Sequence, residues 1–310
     1  MKALIFPGQG AQKVGMAQAM VNRYSWAAEM AAKADAILGR SLSQICFNGP
    51  EEELKKTVNT QPAIFLTSAI ITEWLNRNGY CFKATAGHSL GEYNALFAAG
   101  VASFEDLFRL VDIRARAMEK ACPAGTGVMS AIMMLGRAEI EEACREASAA
   151  GVCVVANYNC PGQIVISGAA AAVKRAGELA LARGARKIVS LEVSGPFHSP
   201  LMQRAREELA VALDNVCFAD AKMPVFCNID AQPTTSVAEL KDKLLEQITG
   251  SVRYEDIVNN MIKAGVTEFV EAGPGKVLSG LNKKIAPAVS TLFASDPDTL
   301  EQLLQSNQVC

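Results

Sequence analysis

The chain has 310 residues, of which 50% are hydrophobic and 20% are charged, a globular composition that excludes a disordered or fibrous chain. Its 30 basic and 32 acidic side chains nearly balance, so the charge indicates neither a nucleic-acid-binding nor a membrane-binding surface. No apolar run approaches the ~20 residues of a membrane-spanning helix, and no secretion signal opens the sequence. Nine cysteines without a CxxC pair lead us to expect reduced thiols in a cytoplasmic protein.

The first 120 residues alternate predicted strands with predicted helices. Ala3–Phe6 and Ala84–Ala86 are short apolar segments typical of buried strands. Capping residues and Gly or Pro breaks bound the helical patterns, which we place at about 16–38, 51–54, 60–78, 91–100 and 104–120. This alternation predicts an α/β fold built on a parallel sheet.

The pattern changes after the Pro- and Gly-containing segment 123–127. From there the predicted order is strand, helix, strand, strand, helix, strand, at 128–134, 138–149, 152–156, 163–167, 170–182 and 187–193. That order is the split βαβ arrangement of a ferredoxin-like unit. We therefore expect a core formed by residues 1–124 and 197–310, with residues 125–196 inserted as a ferredoxin-like subdomain. Later core elements are predicted as strands at 225–227, 268–271 and 290–294, and as helices at 237–248 and 254–264.

A G-x-S-x-G pattern, from Gly87 to Gly91, lies between a predicted strand and a predicted helix. The nucleophile elbow of α/β hydrolases requires that context, because the glycines allow a sharp turn that presents the serine at a helix N-terminus. Ser89 is therefore the candidate nucleophile. The alternative is a chance match to a short pattern.

A serine hydroxyl needs a base, and the chain has only two histidines, His88 and His198. His88 is adjacent to Ser89, so the two side chains point in different directions. His198 is the candidate base, although by itself it also fits a loop histidine that makes a structural hydrogen bond. So few histidines exclude a multi-histidine metal site, and Cys–His zinc spacings are absent.

An oxyanion hole needs two converging N–H donors. The amide of Leu90, the residue after the nucleophile, is one candidate. Residues 7–10, Pro-Gly-Gln-Gly, leave the first strand and are placed to supply the other, although an ordinary turn explains them equally well. Arg114 shares the apolar face of helix 104–120. It is either a solvated arginine at the edge of that face or a buried guanidinium that binds a carboxylate.

Taken together, these motifs resemble a known family, the malonyl-CoA:acyl carrier protein transacylases of fatty acid synthesis and the related acyltransferase domains of polyketide synthases. The matching segments span nearly the whole chain in family order: FPGQGAQ at 6–12, TQPA at 60–63, GHSLGEY at 87–93, Arg114 in its helix, GTGVMSAI at 125–132, NYNCPGQIVISG at 157–168, GPFHSPLM at 195–202 and EAGPGKVL at 271–278. The resemblance implies an α/β-hydrolase-like core with a parallel sheet and an inserted ferredoxin-like subdomain.

Carried over residue by residue, the resemblance makes Ser89 the acylated nucleophile and His198 its base. It makes the amides of Gln9 and Leu90 the oxyanion hole. It also makes Arg114 the ligand of the free carboxylate of the malonyl group.

Three supporting residues follow from the resemblance. The family holds its histidine with a backbone carbonyl from the stretch that is here Ser-Val-Arg at 251–253, which includes Arg253. Members often have Pro-Val-x-Trp there, so this chain departs from the pattern. Asn228 matches an asparagine near the family's site. Phe197, in a Gly-Pro-Phe-His sequence like that of malonyl-selecting members, is expected to leave no room for a methyl group, a preference worth ~1–3 kcal/mol.

The implied reaction transfers malonyl from malonyl-CoA to the phosphopantetheine thiol of acyl carrier protein through a malonyl-serine, with no bound cofactor or metal. We expect a monomer without nucleic-acid or membrane partners. Acyl carrier protein is acidic, and candidates for its binding patch are Arg116, Lys120, Arg186, Lys187, Lys283 and Lys284. Two other classes stay open: a serine hydrolase, whose histidine usually comes late in the chain, and a non-catalytic binding subunit.

Overall fold

The computed structural model describes residues 1–123 and 125–306, whose strands form two separate sheets. The strands are β1 (Lys2–Phe6), β2 (Ala84–Gly87), β3 (Gly127–Met133), β4 (Cys153–Cys160), β5 (Gln163–Ala169), β6 (Lys187–Ser190), β7 (Val225–Phe226), β8 (Pro233–Thr234), β9 (Glu268–Ala272) and β10 (Ser290–Ala294). The mixed α/β class with a parallel sheet, predicted from the sequence, is confirmed.

Helices surround both sheets. They are α1 (Gln18–Arg23), α2 (Ser25–Leu38), α3 (Leu42–Asn48), α4 (Glu51–Lys55), α5 (Thr57–Arg77), α6 (Gly91–Ala98), α7 (Phe104–Lys120), α8 (Arg137–Ala147), α9 (Ala170–Ala182), α10 (Gln203–Asp214), α11 (Val237–Thr249), α12 (Tyr254–Lys263), α13 (Val277–Ile285) and α14 (Pro297–Ser306). Single 3-10 turns occupy Ser148–Ala150 and Pro200–Met202. Among the described residues, no helix is both long and apolar enough to cross a membrane.

The larger sheet has the strand order β10-β9-β1-β2-β7-β8, and every pairing from β10 to β7 is parallel. β1 lies inside this sheet and is buried from Ala3 to Phe6, which explains its uninterrupted apolar sequence. Phe6 pairs with Gly87 at the carboxyl ends of β1 and β2. The loops that follow these two strands therefore leave the sheet side by side, at the edge where parallel sheets usually bind ligands.

The smaller sheet is antiparallel, with the order β4-β5-β3-β6 and the helices α8 and α9 packed beside it. Its strands all fall between Gly127 and Ser190. Two backbone hydrogen bonds join β4 to the loop before α12: Tyr158 N to Val252 O at 2.9 Å and Val252 N to Ala156 O at 2.8 Å. The domain division at 1–124, 125–196 and 197–310 stays a prediction, and its residues 124 and 307–310 lie outside the described residues.

Helices α5 and α7 carry side chains into the space between the sheets. α5 is buried around almost its whole circumference, and its buried residues include several polar side chains in its first two turns, among them Gln61. Ser103 caps α7 by accepting a hydrogen bond from the amide of Asp106 at 3.1 Å. Beyond this cap, the apolar face of α7 points inward and includes Arg114.

Some predicted boundaries are wrong. The single helix predicted at 16–38 is two helices, because Tyr24 has an extended backbone (φ −126°, ψ 118°). α5 begins at Thr57 rather than Thr60, so Pro62 lies within its second turn. Among the cysteines that the structure describes, seven are free thiols, five of them buried, whereas Cys81 is disulfide-bonded, so the expectation of reduced thiols is wrong for Cys81.

The turn between β2 and α6 is possible only with glycine at both ends. Ser89 has a φ of +51°, and a Cβ on Gly87 would lie 1.9 Å from the carbonyl carbon of Gly91. A Cβ on Gly91 would lie 2.2 Å from the carbonyl oxygen of Phe6. Both distances are far below any tolerated contact, so the two glycines let α6 begin directly against β1 and β2.

Substituting alanine for either of two helical glycines is predicted to have opposite effects. Gly91→Ala lowers the free energy of unfolding by roughly 1–3 kcal/mol, since the methyl group collides with the backbone of Phe6. Gly280→Ala in α13 is the matched control, because its Cβ meets nothing within 4 Å, and it adds up to about 1 kcal/mol through helix propensity. Urea unfolding followed by circular dichroism measures both, and equal effects would contradict the steric argument.

Candidate active site

The hydroxyl of Ser89 lies within hydrogen-bonding distance of His198. Ser89 Oγ is 2.7 Å from His198 Nε2, and His198 is 3% exposed with a φ of +58°. On the other side of the ring, His198 Nδ1 is 2.9 Å from the carbonyl oxygen of Gln247. Because a carbonyl oxygen only accepts, Nδ1 carries the proton, which leaves Nε2 to accept from Ser89.

The carbonyl that orients His198 does not come from the predicted segment 251–253. It belongs to Gln247, in the last turn of α11. The last four carbonyls of a helix lack partners within the helix, so this one is available to the histidine. The prediction was wrong because nothing in a sequence pattern distinguishes one backbone carbonyl from another four residues away.

Burial keeps His198 in its neutral form. Desolvation, followed by the positive charge of Arg114, lowers the pKa of His198 to about 3. Burial also lowers the pKa of His88, whose Nε2 lies 2.8 Å from Asn159 Oδ1 and whose ring packs against Tyr254. The imidazole of His198 is therefore neutral, with Nε2 free of a proton as a base requires, whereas His88 pairs with another side chain.

Arg114 is a fully buried guanidinium beside the same hydroxyl. Its Nη2 donates to Ser89 Oγ at 3.0 Å and to Gln247 Oε1 at 3.0 Å, and its Nη1 donates to Gln61 Oε1 at 2.6 Å. Its charged group also lies 5.5 Å from the centroid of the Tyr93 ring. All three acceptors are neutral, and no carboxylate of the described chain forms an ion pair with Arg114. The guanidinium thus keeps a full charge without a charged partner.

The two residues of the predicted oxyanion hole, Gln9 and Leu90, lie on the loops that follow the adjacent strands β1 and β2. Neither backbone amide donates a hydrogen bond to another described residue, and both residues line the same cavity as Ser89. Their role as donors to an oxyanion stays a prediction.

These groups open into one cavity of about 80 Å³ between the two sheets. The polar part of its wall contains the residues already described, and the apolar part comes largely from the smaller sheet and the segment after it. The lining residues are Gln9, Gln61, His88, Ser89, Leu90, Arg114, Met118, Met129, Asn157, Leu191, Val193, Phe197 and His198. Six of the eight residues predicted from the sequence are among them.

The other two predicted residues lie outside the cavity wall. Asn228 is directly behind the elbow: its Oδ1 accepts from the amide of Ser89 at 2.7 Å, and its Nδ2 donates to Gly87 O at 2.6 Å. The side chain of Arg253 points elsewhere and pairs with Asp256 at 3.3 Å, while its backbone amide donates to Asn228 O at 3.0 Å. Arg253 therefore supports the site through its backbone alone.

Sequence reasoning missed two side chains at the centre of the site, Gln247 and Glu92. Gln247 Nε2 donates to Ser89 O at 3.0 Å and to Glu92 Oε2 at 2.6 Å. No motif singled out Gln247, whereas Glu92 was visible as a charged residue in a short apolar helix directly after the elbow. No group of three or more His, Cys, Asp or Glu within the described chain is arranged to hold a metal ion.

The geometry of the site first defines the class of enzyme that it resembles. An elbow serine bonded to a neutral histidine, at the carboxyl edge of a parallel sheet, is typical of enzymes that attack acyl groups with a serine. A family model described as the acyl transferase domain matches residues 3–285. The chain therefore belongs to the acyl transferase family.

Relatives within this family are similar over their whole length. The chain is 45% identical over 305 residues to the malonyl CoA-acyl carrier protein transacylase of Bacillus subtilis (strain 168), which covers 98% of this chain and 96% of that protein. An acyl carrier protein S-malonyltransferase of Vibrio cholerae has a solved structure that matches with a TM-score of 0.95 at 39% identity, covering 97% of this chain and 99% of that one. A malonyl-transacylase in complex with its type II PKS acyl-carrier protein matches with a TM-score of 0.95 at 38% identity, covering 99% of both chains.

The lowered pKa of His198 predicts that the fold is sensitive to acid. An unfolded histidine takes up a proton below its ordinary pKa of 6.5, whereas folded His198 does so only near pH 3. The stability that this group contributes is therefore present above pH 6.5 and lost as the pH falls toward 3, at up to about 1.4 kcal/mol per pH unit.

Urea unfolding of the wild type and of His198→Gln at a series of pH values measures this effect. The difference between the two proteins isolates His198, because all other titrating groups are common to both. We expect the difference to shrink as the pH falls, and a difference that does not change with pH would contradict the argument.

Proposed function

We propose that the protein transfers the malonyl group of malonyl-CoA to the phosphopantetheine thiol of acyl carrier protein, which supplies extender units for fatty acid synthesis. One observation carries this proposal. The Arg114 guanidinium is buried, lies 3.0 Å from Ser89 Oγ and has only neutral hydrogen-bond partners among the described residues. Such a cation is a binding site for a carboxylate, and malonyl is a short acyl group with a carboxylate at its far end.

Acylation of Ser89 is the first half-reaction. The malonyl carboxylate pairs with Arg114, which brings the thioester carbonyl to the serine. His198 Nε2 takes the hydroxyl proton as Oγ attacks the carbonyl carbon, and the amides of Gln9 and Leu90 donate to the oxyanion. When the C–S bond breaks, His198 returns the proton to the CoA sulfur and the malonyl group remains as a serine ester.

Transfer to the carrier is the second half-reaction. The phosphopantetheine thiol enters the position that CoA has left and gives its proton to His198. Its sulfur attacks the ester carbonyl, and the proton passes to Ser89 Oγ as the C–O bond breaks. Both thiols use one position in turn, so the kinetics are ping-pong, and we propose that the chemistry needs no bound cofactor.

The cavity wall supports transfer over hydrolysis. Met129, Leu191, Val193 and Phe197 form an apolar lining opposite the reacting groups. A malonyl ester held there is shielded from water, whereas a thiol on a long flexible arm can still enter. Phe197 is 5% exposed and lies next to the base, and we propose that it leaves no room for a methyl group on the acyl chain.

The expected macromolecular partner is acyl carrier protein, by extension from the relative solved with its carrier protein. A second cavity adjoins the site, shares Gln9, Leu191 and Val193 with it, and is lined by a cation, Lys55. None of the six basic residues proposed from the sequence lines either cavity, so that patch stays a prediction. We also propose a cytoplasmic monomer.

We describe the core as α/β-hydrolase-like and the smaller sheet with α8 and α9 as the ferredoxin-like subdomain. The elbow at the end of β2, in the middle of a parallel sheet, supports the first description. The β-α-β-β-α-β order between Gly127 and Ser190 supports the second.

Intact-mass spectrometry tests the reaction directly. Mixing the protein with malonyl-CoA is expected to add one malonyl group, and adding phosphopantetheinylated acyl carrier protein is expected to move that group to the carrier thiol. Ser89→Ala is expected to form no adduct. An adduct lost to water in the presence of carrier would indicate a thioesterase, and folded wild-type protein that forms no adduct would remove Ser89 as the nucleophile for malonyl-CoA.

Replacing Arg114 distinguishes a loss of carboxylate binding from a general loss of activity. Arg114→Ala is expected to lower kcat/KM for malonyl-CoA by about 10²–10³-fold, since the substrate carboxylate is then buried without a cation. Acetyl-CoA, which lacks the carboxylate, is expected to lose less than about tenfold. Arg109→Ala, an exposed arginine on the same helix, is the control and leaves both values unchanged. Equal losses with both thioesters would contradict a carboxylate-binding role.

A further inference from the structure

The mechanism above does not use a buried acidic residue that lies beside the site. Glu92 lies in the first turn of α6, directly after the elbow, and is 1% exposed. Two N–H groups donate to its Oε2: Gln247 Nε2 at 2.6 Å and the backbone amide of Asn228 at 3.2 Å. Both of these residues contact Ser89, so Glu92 is one hydrogen bond removed from the residues that react.

Gln247 connects three parts of the site. Its backbone oxygen orients His198, its Oε1 accepts from Arg114, and its Nε2 donates to Ser89 O as well as to Glu92. A carboxylate can only accept hydrogen bonds, so it must face the NH₂ end of the amide. With the amide reversed, its oxygen would face a carboxylate and its NH₂ would face a guanidinium. Glu92, Arg114 and the carbonyl oxygen of Ser89 therefore all favour the same orientation of Gln247.

Asn228 is the second residue that Glu92 holds. Its side chain bridges Gly87 O and the amide of Ser89, the residue with the strained backbone. Glu92 accepts from the backbone amide of this same asparagine. The carboxylate thus holds both residues whose side chains hydrogen-bond to the backbone of Ser89.

We propose that Glu92, as a carboxylate, is a positioning residue for malonyl transfer: through Gln247 and Asn228 it holds the nucleophile, the base and the carboxylate-binding arginine in one geometry. The inference rests on the proposed function and does not require Glu92 to touch substrate. It gives a functional reason for burying a charge in the core, which costs stability.

The electrostatics of Glu92 agree with this role. The titratable and charged groups that face it are Arg114 on α7, Cys227 after β7 and Tyr93 on α6. Burial raises the pKa of Glu92 to about 7, although hydrogen bonds and the Arg114 charge oppose the rise. Relative to the unfolded value of 4.5, the stability contributed by this group is present below pH 4.5 and lost as the pH rises through about 7. Its charged form therefore weakens the fold, as expected of a group retained for activity.

Glu92→Gln tests the proposal, because it removes the charge and keeps the shape. The single-turnover rate of Ser89 malonylation is expected to fall about 10- to 100-fold, as small displacements of reacting groups do. The melting temperature at about pH 8 is expected to be no lower than that of the wild type, since an ionised buried group has been removed. A malonylation rate within about twofold of the wild type would overturn the proposal.

Glu271→Gln is the matched control for burying glutamine in place of glutamate. Glu271 is 0% exposed and accepts from the amides of Leu278 and Ser279 at the start of α13, away from the site. We expect this variant to keep the wild-type malonylation rate per folded molecule, whatever the change in its melting temperature. If Glu92→Gln also keeps the wild-type rate, its role is structural and the proposal fails.

The pH profile of the unmodified enzyme tests the same point without a substitution. We expect kcat/KM for malonyl-CoA to fall below about pH 7 as Glu92 takes up a proton, and this decline to be absent in Glu92→Gln. His198 does not explain such a decline, because its pKa is about 3. A wild-type profile that stays flat down to about pH 5, or a decline that Glu92→Gln leaves in place, would overturn the proposal.

The same assay separates this inference from the proposed function. If folded wild-type protein is not malonylated, the proposed function fails, and the inference that rests on it fails as well. If the wild type is malonylated and Glu92→Gln matches it in rate and pH profile, only the inference fails.

Discussion

The contact between the first turn of α6 and the end of β1 is the constraint on which the active site depends. Gly91 packs against the carbonyl of Phe6 so closely that no side chain fits. This contact places the amide of Leu90 beside the loop that carries Gln9, because β1 and β2 are adjacent and in register at their carboxyl ends. The strained backbone of Ser89 follows from the same contact, since a chain that must leave β2 and enter α6 within three residues has no relaxed alternative.

The site also depends on how two buried charges are separated. Arg114 and Glu92 have opposite charges and lie in the same core, yet they form no ion pair; Gln247 lies between them, with its oxygen toward one and its NH₂ toward the other. A direct pair would satisfy the guanidinium and leave it little affinity for a substrate carboxylate. An amide spacer lets each charge keep hydrogen bonds while the arginine stays available, which explains why a neutral residue occupies this central position.

The sequence predicts the parts of this structure that depend on local chemistry. The parallel sheet, the elbow at 87–91 and the buried face of α7 all follow from periodicity and glycine placement. The break at Tyr24 was missed, because neither glycine nor proline marks it and an extended backbone there depends on tertiary contacts.

The residues of the candidate site show the same contrast between what local sequence patterns predict and what depends on tertiary contacts. A local pattern singled out Ser89, whereas His198 and Arg114 had alternative explanations until the family resemblance assigned them roles. Gln247 lies 158 positions after Ser89, and its contribution combines a backbone carbonyl with both ends of an amide. Such groups occur throughout any chain, and only the packing of α11 against the elbow shows which of them matters.

Arg114 acts on the base as well as on the substrate in the proposed mechanism. In the free enzyme its charge is one of the causes that lower the pKa of His198, after burial, so the imidazole is a weak base beside Ser89. A malonyl carboxylate bound to Arg114 neutralises that charge and strengthens the base at the moment when the thioester carbonyl arrives. A thioester without a carboxylate leaves the charge in place and meets a weaker base. In the proposed mechanism, selection for malonyl therefore operates on the rate of proton transfer in addition to binding, and one buried cation would supply both effects.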